Sequence, residues 1–264
     1  MSVDDVIRVK HERRYAVPAL EKGLGLLRML GEHRGELSFS DICQRTTMPK
    51  ASVYRAVQTL EEMGFLARGT SGGYALGISV LRLGFDYLSS MDIVQIGQPV
   101  IHRLRDNTDC SSHLCVRDGR DVVYVARVAA SGEIGAGVSI GSRLPAHCTA
   151  IGRVLLMDLP RSELERLYTE AVFAETSEAG PKTPQQLFDL LDGDREQGYA
   201  ISESFYQPGI SAVAYPLRNR SGDVVASVNV MAPRHNLPDK LKASLRQEVA
   251  QAADEIESYL QVTR

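Results

Sequence analysis

The sequence contains no run of 18 apolar residues, so no segment reads as a membrane-spanning helix. It also lacks a charged start leading into an apolar signal core, and the expectation is a cytoplasmic protein, neither inserted nor secreted. Cysteine is scarce. Cys43, Cys110, Cys115 and Cys148 show no framework spacing, which predicts free thiols in a reducing compartment. Internal repeats and low-complexity segments are absent as well. Within 264 residues there is room for one or two domains with a sizeable core.

Positive charge is also short overall, with a net charge of −3. The balance is not uniform. Residues 8–72 carry 11 Lys and Arg against 7 Asp and Glu, and the deficit lies in the rest of the chain. A local excess of this kind suits a specific nucleic-acid reader joined to an acidic partner domain better than a general polyanion binder.

Residues 38–76 carry the strongest pattern. Ser40 is placed to cap a short helix with Ile42 and Cys43 on one face, and Thr46-Thr47-Met48-Pro49 breaks it. A second helix begins at Lys50, with Val53, Ala56, Val57, Leu60 and Met63 at helical spacing, and Gly64 ends it. Residues 65–68, a glycine-rich turn and Tyr74-Ala75-Leu76 then read as a hairpin. Two helices across a short turn followed by a basic-tipped hairpin make a winged helix-turn-helix, a DNA reader. Lys50, Ser52, Tyr54, Arg55 and Gln58 would enter or edge the major groove, with Arg55 and Gln58 the candidates for base contact. Arg68, Thr70 and Ser71 of the wing would meet the backbone or minor groove. The competing reading is a helical hairpin that docks on another protein. The N-terminal half of the second helix holds Lys50 and Arg55 and no acid, which favours DNA.

Ahead of this unit, residues 1–15 are polar and end in His11-Glu12-Arg13-Arg14-Tyr15. They read equally as a frayed terminus or as a basic arm using Arg13 and Arg14. Pro18 opens a supporting helix whose buried stripe is read as Ala19, Leu20, Leu24, Leu27 and Leu30. Beyond the wing, residues 78–91 are apolar on more than one face, as expected of a linker helix that pairs with a second subunit or lies under the second domain. Pro99 marks a boundary or kink in the next amphipathic stretch.

From residue 110 the hydrophobic period shortens. Residues 111–117 and 121–128 read as a hairpin with Val122, Tyr124, Ala126 and Val128 on one face, and Glu133 to Ser142 as a further short strand. A helix follows Cys148, Ser162 and Glu165 suit a capping box, and Thr183-Pro184-Gln185-Gln186 starts a helix that runs to Gly198. Residues 210–218 and 223–231 form an antiparallel pair, and Pro238 introduces a C-terminal helix. The whole is an α+β chain with a sensor-like second domain.

Catalytic and metal chemistry find little support. Cys110, His113 and Cys115 lack a second Cys/His cluster to complete four ligands. His147 and Cys148 are neighbours whose side chains diverge, with no third orienting group. Gly135, Gly137 and Gly141 have the wrong spacing for a dinucleotide loop. No enzyme activity, cofactor or metal is expected. The segment from Leu144 to Arg153, which starts a helix among small residues, reads either as a ligand site for an anionic group or as a capped and closely packed helix.

The helix-turn-helix, YALGISVLRLG (74–84), RLPAHCTAIGRVLL (143–156) and GYAISESFYQPGISAVAYPLRNRSGDVVASVNVMAP (198–233) together resemble the IclR family of bacterial transcriptional regulators, from about Tyr15 to Leu260. The resemblance implies a winged reader at 16–77, a linker helix at 78–91 and a GAF-like effector-binding and oligomerisation domain at 92–264. Its partners would be double-stranded operator DNA, a small-molecule effector and further copies of the chain, as dimer or tetramer. It places the effector site at Arg143, His147, Thr149, Ala150, Ile151, Ser202, Ala212, Asn229 and Met231. Members that bind small acids such as glyoxylate often carry a Gly-Ala pair at Ala150-Ile151, an acid at Ser202, a cysteine at Ala212, and serines at Asn229 and Met231. Ser204-Phe205 stands where an acidic pair is usual. Ile151, Ser202, Ala212 and Met231 make the site bulkier or less polar, and this points to a larger, partly apolar acid. Residues 143–156 and 210–217 look most like the branch controlling aromatic-acid catabolism.

Overall fold

The structure is a computed structural model, and it describes residues 16–33, 35–130, 138–175 and 180–261. The chain divides into two compact units between Tyr87 and Leu88. Arg13 and Arg14 lie outside the described residues.

The first unit holds α1 (Pro18–Glu32), α2 (Phe39–Gln44), α3 (Lys50–Glu62), the hairpin β1 (Leu66–Arg68) and β2 (Tyr74–Leu76), and most of α4 (Ile78–Ser89). Its core is small: Leu26, Leu30, Leu37, Ile42, Val53, Val57, Leu66 and Tyr74. The stripe on α1 keeps Leu30 and the half-buried Leu27 of the sequence reading but is shifted in phase towards its N-terminal end. Leu26 and Leu30 face the core, while Leu20 and Leu24 are 60% and 53% exposed. Both phases fit a helical period, and only the packing partner distinguishes them. Met63 also leaves the core, at 60% exposed.

Ser38, not Ser40, caps α2. Its hydroxyl accepts from the Asp41 N–H at 3.1 Å, and the Asp41 carboxylate takes the Ser38 N–H in return at 3.1 Å. Such reciprocal caps contribute about 1 kcal/mol. Gly64 closes α3 at φ 76°, where a side chain would be strained. The Phe65 N–H bonds the Leu60 carbonyl at 2.8 Å and the Gly64 N–H bonds Glu61 at 2.9 Å, satisfying two end-of-helix acceptors. α4 buries none of its residues.

The second unit is a six-stranded antiparallel sheet between helical layers. Its elements are α5 (Asp92–Thr108), β3 (Ser111–Asp118), β4 (Asp121–Val128), β5 (Arg143–Pro145), α6 (Ala150–Leu156), α7 (Arg161–Leu167), α8 (Pro184–Gln197), β6 (Ala200–Glu203), β7 (Ser211–Arg218), β8 (Val224–Ala232) and α9 (Asp239–Leu260). The strand order is β5-β4-β3-β8-β7-β6. α5 and α9 cover one face through Val100, Ile101, Leu104, Leu245, Val249 and Ile256 against Leu114, Val213, Val228 and Val230. α6, α7 and α8 cover the other through Ile151, Val154, Leu164, Leu187 and Leu191 against Cys115, Tyr124, Ala200 and Ala214. Alternation along each strand assigns its residues to these two cores.

Of the two readings of Pro99 the boundary falls, and three further sequence expectations change. Pro99 sits inside α5, which runs on to Thr108. Proline removes one intrahelical bond, and burial of Val100, Ile101 and Leu104 holds the helix together past it. β4 does not keep one face. The β3–β4 register shifts between Leu114 and Cys115, which pair with Ala126 and Tyr124. The extra residue, Val125, is a bulge that sends Val122 and Tyr124 to one core and Ala126 and Val128 to the other. Residues 138–142 lead through a turn into β5, instead of forming a strand themselves, and 133–137 lie outside the described residues. Finally, Pro160 caps α7 without a side-chain bond, so Ser162 and Glu165 form no capping box. Glu165 pairs with Arg161 at 3.0 Å.

Candidate functional sites: the reader surface and the sensor cavity

In the first unit the N-terminal turn of α3 contains no acid, and Pro49 supplies no side-chain cap. The positive end of the helix is therefore open to an anion. Lys50, Tyr54 and Arg55 are exposed, with Tyr54 steadied by an edge contact to Phe39 at 6.1 Å, while Ser52 and Gln58 are half-buried. Gln58 and Arg68 share one acid. The Gln58 amide donates to Glu61 at 3.3 Å and Arg68 Nε lies 3.2 Å from Glu61 Oε1. The Arg68 guanidinium also stands over the Tyr74 ring at 4.3 Å. Thr70 is exposed at the wing tip, whereas the N–H and hydroxyl of Ser71 are both given to Glu36.

The second unit contains a cleft with room for about 60 Å³ of solvent-sized occupants. Seven residues named from the sequence line it: Thr149, Ala150, Ile151, Ser202, Ala212, Asn229 and Met231. Pairing brings three of them into one cross-strand row, because Ser202 opposes Ala212 and Ala212 opposes Met231. Asn229 sits two residues earlier in β8, opposite Ala214 and His113. The His113 ring nitrogen Nδ1 lies 3.1 Å from Asn229 Oδ1, and the ring meets Tyr124 edge-on at 5.2 Å.

α6 is placed by close packing. A side chain at Gly152 would stand 2.2 Å from the Ala146 carbonyl, so only glycine lets the helix lie on the 146–148 turn. The Thr149 hydroxyl accepts from the Gly152 N–H at 3.1 Å. Arg153 then anchors α6. It lies 2.9 Å from Asp194 of α8, donates to the Ile201 carbonyl at 2.6 Å and stands 5.1 Å from the Phe205 ring. Burial pushes the Asp194 carboxyl up against the pull of Arg153.

Arg143 and His147 do not line the cleft. Arg143 is turned to Asp118 and Asp121 at 2.8 and 3.1 Å on the edge of the sheet, which removes it as an anchor for a ligand acid. His147 is 4% exposed and packs between Tyr168 and Phe173 at 5.5 and 5.2 Å. Burial, with Arg120 nearby, lowers its pKa to about 4, so it is a neutral core residue at pH 7. Burial also pushes the neighbouring Cys148 thiol up to about 12, far from a reactive thiolate. Among the described residues, no three His, Cys, Asp or Glu side chains gather as metal ligands would.

The sequence did not single out Tyr124, Val138, Leu144, Tyr206, Gln207 and Ile210 as lining residues. Tyr124 and Leu144 carry ordinary strand patterns. Tyr206, Gln207 and Ile210 belong to a loop with no period, fixed instead by Ser204 at φ 62°, whose N–H bonds the Ile210 carbonyl at 2.9 Å. A positive φ at a serine is the one local signal, and it is visible only in the structure.

Comparison with known proteins decides the family. The description "Bacterial transcriptional regulator IclR C-terminal" matches residues 85–258, and "IclR helix-turn-helix domain" matches residues 19–69. The chain belongs to the IclR family. It is a DNA-binding transcriptional regulator. It is 30% identical to the HTH-type transcriptional regulator KipR of Bacillus subtilis (strain 168), covering 89% of this chain and 94% of that one. Identity to the Pca regulon regulatory protein of Pseudomonas putida is 32%, over 80% and 73% of the two chains. A crystal structure of an IclR homolog complexed with 4-hydroxybenzoate, from Microbacterium hydrocarbonoxydans, has the same fold. Its TM-score is 0.79 at 22% identity, covering 93% of this chain and all of that one. The named relatives are transcriptional regulators. No helix among the described residues is long and apolar enough to cross a membrane.

Proposed function

We propose that this IclR regulator controls a catabolic operon in response to an aromatic carboxylate or a close relative. The lining of the cleft carries the reading: Tyr124, Leu144, Ile151, Ile210 and Met231 supply apolar surface, and Thr149, Ser202, Gln207 and Asn229 supply a few polar groups. A ring fills apolar wall that a tiny hydrated acid leaves wet, and convergent polar groups fix its orientation. With His113 Nδ1 donating to Asn229 Oδ1, the Asn229 amide N–H groups are left to meet a ligand acceptor. The Pseudomonas relative regulates the Pca regulon and the Microbacterium homolog was crystallised with 4-hydroxybenzoate, which supports the same ligand class. Calorimetry with benzoate-type acids, glyoxylate and pyruvate tests it. Binding of the aromatic acids alone is expected, and binding of glyoxylate or pyruvate alone would overturn the ligand class.

On DNA, Lys50, Ser52, Tyr54, Arg55 and Gln58 serve the major groove and Arg68 and Thr70 the wing contacts. Arg13 and Arg14 follow the backbone as an arm. The reader works as a pair of copies. Ile78, Leu81, Leu83, Phe85 and Tyr87 of α4 are all at least 59% exposed in the single chain, an apolar surface suited to a second copy. An effector changes operator affinity to the extent that it binds one arrangement of the paired readers more tightly. Light scattering of Phe85→Glu is expected to show a smaller particle than the parent chain. An unchanged mass would remove α4 from the assembly.

A further inference from the structure

The wing tip holds an acid that the reader role does not call for. The turn Gly69-Thr70-Ser71-Gly72-Gly73 wraps around the Glu36 carboxylate, which comes from the loop between α1 and α2. Glu36 Oε2 accepts the Ser71 N–H and the Gly73 N–H, each at 3.2 Å, and also takes the Ser71 hydroxyl. The turn closes on itself through Gly69 N–H to Gly73 carbonyl at 2.9 Å and Gly72 N–H to Gly69 carbonyl at 3.1 Å. Glycine makes the cradle possible. A Cβ at Gly69 would stand 1.8 Å from Glu36 Cδ, and one at Gly73 would stand 2.9 Å from Glu36 Cβ.

The next two residues continue the connection. Leu37 and Tyr74 exchange both backbone bonds, at 2.9 and 2.8 Å, so residue 37 adds an edge to the wing hairpin. Ser38 then caps α2. One tripeptide therefore touches the wing tip, the wing strand and the first helix of the helix-turn-helix. An acid beside DNA phosphates costs affinity by simple repulsion. A turn with three glycines in five residues, left unclasped, would lose its freedom only on the DNA, and that ordering cost would fall on the binding step.

We infer that Glu36 is a positioning residue for DNA recognition: it clasps the wing tip so that wing and recognition helix meet the operator as one preformed surface. The Ser71 hydroxyl holds the Glu36 carboxyl below the usual range, so the clasp is charged at neutral pH. Ser71, with both donors occupied, is part of the clasp and not a phosphate contact.

The inference rests on the reader role, which wild-type protein checks by itself. A duplex is selected from a random pool with the full-length wild-type chain, and its affinity is compared with that of an unselected duplex for each variant. Glu36→Ala is expected to weaken the selected duplex about tenfold, against the direction that loss of an acid predicts, and to leave the unselected duplex within about twofold. Gly69→Ala reaches the same clasp from the other side. Its backbone φ lies outside the left-handed region, and the three nearest atoms the new methyl meets all belong to the flexible Glu36 side chain. It should match Glu36→Ala, and the double variant should be no weaker than either single one. Should Glu36→Ala lose fold, Gly69→Ala carries the test. Tighter or unchanged binding by the variants, or losses that add in the double variant, would overturn the inference. Failure of the wild-type chain to select any duplex would count against the reader role instead.

Discussion

The two units place their candidate functional side chains under opposite conditions. In the reader, Lys50, Tyr54, Arg55 and Thr70 stand in solvent on a core of eight buried apolar residues among those described. In the sensor, Ile151, Ser202 and Asn229 are each at most 5% exposed and belong to a sheet covered on both faces. A surface side chain can be exchanged with little effect on the fold, so the reader can change its DNA sequence without losing stability. A cleft residue is buried against the sheet and helix that hold it, so a substitution there acts on packing as well as on the cleft. The same division governs charge. Arg68 and Glu61 pair at side-chain exposures of 52% and 29%, while Arg153 and Asp194 pair at 2% and 5%.

The sharpest way to break this contrast is Arg153→Met. It leaves the Asp194 carboxylate buried without its partner, and loss of one member of a buried pair costs about 3–5 kcal/mol. Chemical denaturation should show that loss in the sensor unit, with the reader unit unfolding as before. Equal destabilisation of both units would show that they do not unfold separately. Acid is expected to have the next largest effect. His147, unfolded, takes a proton near pH 6.5, but in the folded core it does so only at about pH 4. Between these values the unfolded state binds the proton and the folded state does not. Stability is therefore lost as the pH falls through that window, by up to about 3 kcal/mol. The buried Asp194 carboxyl, raised to about 6, contributes in the opposite sense over nearly the same window, so the His147 slope is read as the difference in denaturation midpoint between the parent and His147→Leu across pH 7 to 4.

Arg55→Ala addresses the reader. Discrimination between operator and random DNA should fall by about 1–3 kcal/mol with the unfolding midpoint nearly unchanged. Equal weakening on both DNAs would demote Arg55 to a phosphate contact. The smallest effect belongs to Arg143→Ala. Because its guanidinium is turned to Asp118 and Asp121, effector affinity in calorimetry should stay within about twofold. A large loss would return Arg143 to the binding site.

Periodicity makes the long helices and paired strands legible, and the resemblance adds the seven cleft residues on α6 and β6–β8. Three kinds of information escape. Phase is ambiguous where apolar residues exceed what one stripe needs, as on α1, where Leu20 and Leu24 compete with Leu26. A bulge such as Val125 reverses a strand's faces without any change in composition. Contacts between distant segments leave no local trace, among them Arg153 with Asp194 and Glu36 with Ser71.

The row formed by Ser202, Ala212 and Met231 sets a scale for the sensor. Neighbouring strands lie about 4.8 Å apart, so this wall is a ruler with two divisions and a length near 10 Å, roughly the long axis of a substituted ring. Each strand writes one mark on it. A change on β6, β7 or β8 would alter acceptance at one point along a ligand and leave the other marks in place. On the proposed reading, a change of ligand needs only a single step of this kind.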